Sequence, residues 1–277
     1  MPHAKTDREA VLKASRNYYA HRAYYGDLLS QHLHRLKQTT KHELDFLEHA
    51  FRTNTSRPIH DVLDVACGGG RHIVGLTHRG YKCTGQDYTP ERVEIAKARA
   101  KREGASVTIR QGDATRLKYQ NEFDAVLALN ILFLLPDDED VQRCLGQAHH
   151  ALRQGGVLIC NIFNPFYTET GEFSDLIIKG LHVDEVRASG VRDTRISQLE
   201  SLDRVHGVAW TLETSIIEAP DGKHIFRDKE RIRLLTYWDI LHYLRTAGFT
   251  KIECYPDMKA KPPKHPKAEE LAFVARK

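Results

Sequence analysis

Apolar positions change period three times along the chain. From residue 7 to 52 they recur near helical spacing, with Leu28, Leu29, Leu33, Leu36, Leu44, Phe46 and Leu47 among them and no proline, which predicts a helical N-terminal region. From Val62 the texture becomes short apolar runs separated by polar, helix-like stretches. The runs are Val62–Val65, Tyr81–Asp87, Val107–Asp113, Phe123–Asn130 and Leu152–Asn161. Runs of this kind read as parallel strands buried on both faces. Between Asn164 and about Arg233 the period drops to two, with Val208, Trp210, Leu212, Thr214 and Ile216 on one face and Ala209, Thr211, Glu213 and Ser215 on the other. Pro220-Asp221-Gly222-Lys223 reads as a turn, and the chain returns as a strand from His224 to Leu235. Thr236 then caps a helix from Tyr237 to Ala247 that stops at Gly248, and Thr250–Tyr255 with Leu271–Arg276 forms a closing hairpin.

The pattern predicts an α/β fold with a doubly wound, mostly parallel seven-stranded sheet. Residues 1–55 form an N-terminal helical cap, 56–165 together with 234–277 form the core, and 166–233 form an inserted antiparallel β lid.

The first strand carries the most specific chemistry. Val62-Leu63-Asp64-Val65-Ala66-Cys67-Gly68-Gly69-Gly70-Arg71-His72 is an apolar run that ends in an acid and breaks into a glycine turn before a helix. Glycines there let the backbone turn sharply and approach a ligand, while the next helix offers free N–H groups. A dinucleotide fingerprint needs a third glycine where Ile73 stands, and a P-loop needs Lys followed by Ser or Thr after the glycines, so both readings fail. The second strand ends in Asp87, 23 residues after Asp64, where a carboxylate can take both ribose hydroxyls. The third leads to Asp113, placed to accept from an adenine amino group.

The D-x-x-x-G-x-G spacing, followed by acids at these intervals, resembles the class I S-adenosylmethionine (SAM)-dependent methyltransferases. That resemblance implies a Rossmann-like methyltransferase fold, SAM as cofactor, and a cofactor site made of Asp64, Ala66, Gly68, Gly70, Asp87, Tyr88, Asp113, Ala114 and Asn130. It also implies an N-terminal helix that closes over the methionine end, which nominates Tyr18 and Arg22 for binding and Tyr25 for catalysis. The lid, followed by the segment R-I-R-L-L-T, a helix and A-G-F, resembles the branch of amino-sugar N,N-dimethyltransferases and glycine N-methyltransferase. The sequence departs from that branch after the fourth strand, where Asn130-Ile131-Leu132-Phe133-Leu134-Leu135 replaces a Ser-Phe-Gly type of turn. Methyl transfer asks mainly for alignment and desolvation of donor and acceptor. Asn130, Asn161 and Asn164, after the fourth and fifth strands, are the amides expected nearest the reaction, with Asn130, Asn164 and Tyr25 as the catalytic candidates.

Composition narrows the remaining classes. No window approaches the roughly 18 apolar residues of a membrane span, and the N-terminus lacks an apolar secretory core, so a cytoplasmic location with no membrane partner is expected. Five scattered cysteines without a C-x-x-C read as free thiols in strands. A net charge of +4, from 41 basic and 37 acidic residues, is mild for a nucleic-acid enzyme. The lysines at 259, 261, 264 and 267, among prolines 262, 263 and 266, read as a solvated loop. Asp137 to Asp140 open a helix rather than bind a metal. His149-His150 reads as structural, and His182, His206, His224, Arg231 and Arg233 are bases or anion anchors the lid offers. The expected partner is a small-molecule methyl acceptor, nitrogen ahead of oxygen, and a homodimer is compatible with the reading. An RNA or protein substrate, a SAM-binding protein without turnover, and a nicotinamide oxidoreductase are the alternatives.

Overall fold

The computed structural model describes residues 7–32, 34–55, 57–169, 171–188, 190–261 and 268–277; the side chains of residues 22, 24 and 26–37 are outside the description. Two helices open the chain, α1 (Arg8–His32) and α2 (His34–Thr53). A βα alternation follows: β1 (Asp61–Asp64), α3 (Arg71–His78), β2 (Lys82–Asp87), α4 (Pro90–Arg102), β3 (Thr108–Gln111), β4 (Phe123–Ala128), α5 (Asp138–Ala151) and β5 (Leu152–Phe163). Next come α6 (Glu172–Lys179) and the lid strands β6 (Leu181–Ala188), β7 (Val191–Asp203), β8 (Val208–Ala219) and β9 (Gly222–Arg233). Helix α7 (Tyr237–Thr246) and strands β10 (Thr250–Pro256) and β11 (Glu270–Arg276) return to the main sheet.

The main sheet runs β10-β11-β5-β4-β1-β2-β3, with β11 antiparallel to its neighbours and β1–β5 mutually parallel where they pair. All six residues of β4 are buried, as a central strand covered on both faces requires. One apolar layer joins Leu63, Val126 and Leu158 to Leu145 of α5 and Leu244 of α7; the other joins Val62, Leu127 and Ile159 to Leu47 of α2 and Ile73 of α3. Burying each of these side chains contributes about 1.5–3 kcal/mol. Strand order reverses between β1 and β4, so their carboxyl ends open the crevice in which such folds bind ligands.

The structure adjusts several expected boundaries. Strand β3 ends at Gln111, which leaves Asp113 in the turn beyond it, and β4 ends at Ala128, which leaves Asn130 in a left-handed conformation (φ 54°). Strand β5 continues past Asn161, so that amide is a buried strand residue. Helix α6 was not foreseen. It is only eight residues long, buries Phe173, Leu176 and Ile177, and stops at Gly180 in the left-handed region that glycine adopts without strain. The alternating stretch holds four strands rather than two, in the order β6-β7-β8-β9. On β8 the polar file, Thr211, Glu213 and Ser215, is the buried one, whereas Trp210, Leu212 and Ile216 are half-buried. Burying that file requires internal partners: Ser197 donates to Glu213 at 2.6 Å, and on neighbouring β9 the Asp228 carboxylate bonds His21 of α1 at 3.0 Å.

The lid is fastened to the core by arginines. Arg231 donates from Nη1 to the Pro136 carbonyl at 2.7 Å, and Arg233 pairs with Asp138, which also accepts from Tyr243 at 2.6 Å. These two arginines are thereby fasteners. His182 faces Asp175 at 3.6 Å, while His206 and His224 pair with Asp203 and Asp221 in exposed positions. His149 packs edge-on against Phe249. The lysine- and proline-bearing stretch 262–267 lies outside the described residues. No helix among the described residues is long and apolar enough to cross a membrane.

Candidate active site

The glycine turn is built by backbone bonds that close on the two acids. Gly68 and Gly70 both have positive φ, 52° and 81°, and a Cβ at Gly70 would stand 3.1 Å from Ala96 of α4. Gly68 donates its N–H to Asp87 Oδ2 at 2.8 Å, and Thr89 donates to Asp87 Oδ1 at 2.9 Å. The carboxylate at the end of β2 is thus fixed between the glycine turn and the start of α4, with lone pairs left for a ligand. Asp64 accepts from the Ala66 N–H at 3.1 Å and is buried beneath the turn. Burial pushes its carboxyl up to about 7; the Ala66 bond opposes the shift and the Asp87 charge adds to it.

These elements line a cavity of about 480 Å³ at the carboxyl ends of the parallel strands. Ala66, Gly68, Asp87, Tyr88, Asp113, Ala114, Asn130 and Tyr18 all face it. Asp113 Oδ1 accepts from the Thr115 N–H and hydroxyl at 2.8 and 2.7 Å, while its Oδ2 lies 3.8 Å from Arg8. Asn130 is locked into a reciprocal pair with Asn161: its N–H donates to Asn161 Oδ1 at 2.6 Å, and Asn161 Nδ2 donates to Asn130 Oδ1 at 2.8 Å. The same Asn161 nitrogen reaches Glu270 at 2.8 Å. Burial raises the Glu270 carboxyl to about 7 against that bond. Its side-chain carbonyl is thereby engaged, and the residue lines the cavity.

Other nominated residues stand elsewhere. Asn164 does not line the cavity: its Nδ2 donates to the Ala268 carbonyl at 2.9 Å and its Oδ1 accepts from the Phe166 N–H at 3.1 Å, so it organises the turn after β5. Tyr25 is also outside the lining. It is buried against Val191 and Ile217 of the lid, and its hydroxyl donates to Asp221 at 3.3 Å. Helical spacing explains this, since Tyr18 and Tyr25 lie two turns apart and the far turn of α1 rests on the lid. The side chain of Arg22 is outside the described residues. Asp64 and Gly70 lie behind the lining and shape it from beneath.

Several lining residues were not anticipated: Tyr19 and Arg16 of α1, Arg92 of α4, Arg195 of the lid, and Arg71 with His72 at the start of α3. Arg71 and His72 both bind Glu43 of α2, at 2.9 Å from Arg71 Nη2 and 3.0 Å from His72. Burial works against that carboxylate, yet the bonds from His72 and Arg71 hold it at about 2. Burial lowers the His72 pKa, which keeps the ring neutral near pH 7. Helix register could have found Arg92, because it sits one turn before Ala96 on the face that meets the glycines.

The cradle fits a nucleoside cofactor with an amino-acid tail: acids stand at the ends of β2 and β3, and the glycine turn would be filled by any side chain. Residues 62–156 match a family model described as a methyltransferase domain. Over that stretch the chain carries a methyltransferase domain, and its fold is that of SAM-dependent methyltransferases. Its cofactor is SAM, and the protein is an enzyme. A protein of Geobacillus sp. (strain WCH70) whose name proposes a methyltransferase is 29% identical over 223 residues, covering 78% of this chain and 84% of the relative. A ubiquinone biosynthesis O-methyltransferase of Azorhizobium caulinodans is 33% identical over 104 residues, 37% of this chain and 40% of its own length. Among solved structures, a SAM-dependent methyltransferase from Clostridium acetobutylicum matches with a TM-score of 0.71 at 18% identity, covering 95% of this chain and 98% of that one. A sugar N-methyltransferase from Streptoalloteichus sp. matches with a TM-score of 0.67 at 20% identity, covering 86% and 88%. At these identities the solved structures speak for the fold of the methyltransferase.

Proposed function

We propose that the enzyme transfers the SAM methyl group to a small-molecule acceptor, with nitrogen favoured over oxygen. The observation that carries this reading is the shape of the cavity. Ala66, Gly68, Asp87 and Asp113 line one part, while Leu12, Tyr18, Tyr19 and Ala23 of α1 and Arg195 of the lid also line it. A chamber of about 480 Å³ bounded by a helix and a lid suits a compact acceptor better than a polymer.

When bound, SAM supplies an activated sulfonium methyl, so the protein needs to orient and desolvate. In this reading Asp87 and Asp113 would hold the ribose hydroxyls and adenine amino group, with Ala66, Gly68, Tyr88 and Ala114 lining the cavity around them. Asn130, fixed by Asn161, lines the chamber beside apolar Ile131, Leu134 and Leu135. The titratable acids and imidazole of the lining are already engaged: Asp87 and Asp113 hold backbone N–H groups, and His72 is tied to Glu43. A hydroxyl acceptor would call on a free base to take its proton, whereas an amine attacks through an existing lone pair. The sugar N-methyltransferase among the structural neighbours agrees with nitrogen, and the ubiquinone-pathway relative keeps oxygen as the second reading.

The test is an acceptor screen that follows S-adenosylhomocysteine formation with amines, amino sugars, phenols, bulk RNA and unstructured protein. Turnover is expected first among the amines. Turnover with RNA or protein alone would overturn the small-molecule reading, and turnover confined to phenols would reverse the choice of acceptor atom.

A further inference from the structure

Asn161 breaks the pattern of the layer in which it lies. On β5 it shares a face with Val157 and Ile159, and it stands opposite Ala272 of β11; these neighbours belong to the apolar layer against α2 and α3. An amide with 1% of its surface exposed is costly at such a position unless its polar atoms are paired. Here it makes three bonds: the Asn130 N–H donates to its Oδ1 at 2.6 Å, and its Nδ2 donates to Asn130 Oδ1 and to Glu270 Oε1, both at 2.8 Å.

Glu270 sets which way that amide faces. An ionised carboxylate only accepts, so it selects Nδ2 and thereby turns Oδ1 toward the Asn130 N–H; the flipped amide would set acceptor against acceptor at Glu270 and donor against donor at Asn130. Asn130 depends on this support, because its backbone is left-handed (φ 54°) and it opens the turn whose Ile131, Leu134 and Leu135 line the chamber. Glu270 stands outside the lining, placed by its own N–H on Asp257 Oδ1 at 3.2 Å. We infer that Glu270 is a positioning residue, which acts through the Asn161 amide to hold Asn130 and the chamber wall that follows it in the geometry that binds the cofactor. The inference rests on the cofactor site described above and holds whichever acceptor the enzyme takes.

The experiment is run at pH 8, above the value of about 7 to which burial raises the Glu270 carboxyl. Amide hydrogen exchange is followed at Asn130 and at Val126 inside β4, and calorimetry gives the affinity for S-adenosylhomocysteine. Wild type, Glu270→Leu, Glu270→Gln, Asn161→Leu and the double variant Asn161→Leu with Glu270→Leu are compared. Glu270→Leu is expected to speed exchange at Asn130 about 10-fold or more, to leave Val126 within about twofold, and to weaken S-adenosylhomocysteine about 5- to 20-fold, as for loss of one charged acceptor. Glu270→Gln still offers an oxygen to Asn161 and recovers most of both. Asn161→Leu repeats the loss, and adding Glu270→Leu to it changes neither readout further, because the link between them is already cut. Glu270→Met takes the place of a Glu270→Leu protein that does not fold. Unchanged Asn130 exchange or unchanged affinity in Glu270→Leu, equal acceleration at Asn130 and Val126, a Glu270→Gln as weak as Glu270→Leu, or losses that add in the double variant would overturn the inference while leaving the cofactor site standing. Wild-type protein that binds no S-adenosylhomocysteine would overturn both.

Discussion

The two sheets of this enzyme solve burial in opposite ways. The main sheet buries β4 completely and places apolar layers on both faces, so most of its burial is by area, with a few buried polar residues such as Asp124 and Asn161 individually paired. The lid sheet turns Thr211, Glu213, Ser215, Asp228 and Glu230 inward and is pinned by individual polar contacts: Arg231 to a carbonyl, Arg233 to Asp138, His21 to Asp228. Area burial is tolerant of sequence, whereas polar pairing is specific and costly to break on one side. The cofactor half is thus held mainly by buried area, and the half above it by particular polar pairs.

That contrast can be broken most directly at Asp87. Replacing it with alanine removes the acceptor for two backbone N–H groups and the candidate ribose ligand together, and calorimetry is expected to show loss of S-adenosylhomocysteine affinity on the order of 100-fold or more. Normal affinity in a folded variant would detach the cofactor from the strand-end acids. Next in size is acid stability. Glu43 is held at about 2 against an ordinary 4.5, so its contribution is fully present above about pH 4.5 and is lost as pH falls toward 2, a change of about 3 kcal/mol. Chemical denaturation at pH 7 and pH 3 should show about 2 kcal/mol of that loss, and Glu43→Gln should flatten it; a variant with the wild-type slope would assign the loss to other carboxylates.

The lid offers a sharper cut. Arg233→Ala is expected to cost about 1–2 kcal/mol, since its side chain is buried but its partner Asp138 is largely exposed. Hydrogen exchange should accelerate in β6–β9 while β1, β4 and β5 keep wild-type protection. Uniform acceleration across both sheets would mean they unfold as one unit. The smallest effect is expected at Thr236, whose hydroxyl and Asp239 form a capping box at the start of α7. Thr236→Ala should lower stability by about 1 kcal/mol without changing cofactor affinity; a change in affinity would tie α7 to the site.

The same contrast decides what could be read from the sequence. Strand-end acids and glycines are legible because chain topology alone carries Asp87 and Asp113 to the rim of the sheet. The parallel strands were legible because continuous apolar runs have few other uses. Residues that reach the cavity from α1, α4 or the lid depend on helix register and packing direction, which a sequence states only indirectly. Tyr25 therefore proved a lid contact, Asn164 proved a turn organiser, and Arg92 went unnoticed. Asn161 was expected near the reaction and instead braces Asn130 from within β5. On β8 the alternation was plain, but which file faced inward was not, because an aromatic and aliphatic file ordinarily implies the buried side.

Helix α1 packs on both α4 and β9, so the helix that lines the cofactor cavity also touches the lid. In kinetic terms the two halves would share a door: a displacement of α1 away from α4 would also strain its contacts with β9. Where opening of such a chamber is slower than methyl transfer, opening paces turnover. Rapid quench should then show a burst of methylated product followed by a slower steady rate, and solvent viscosity should slow the second phase alone.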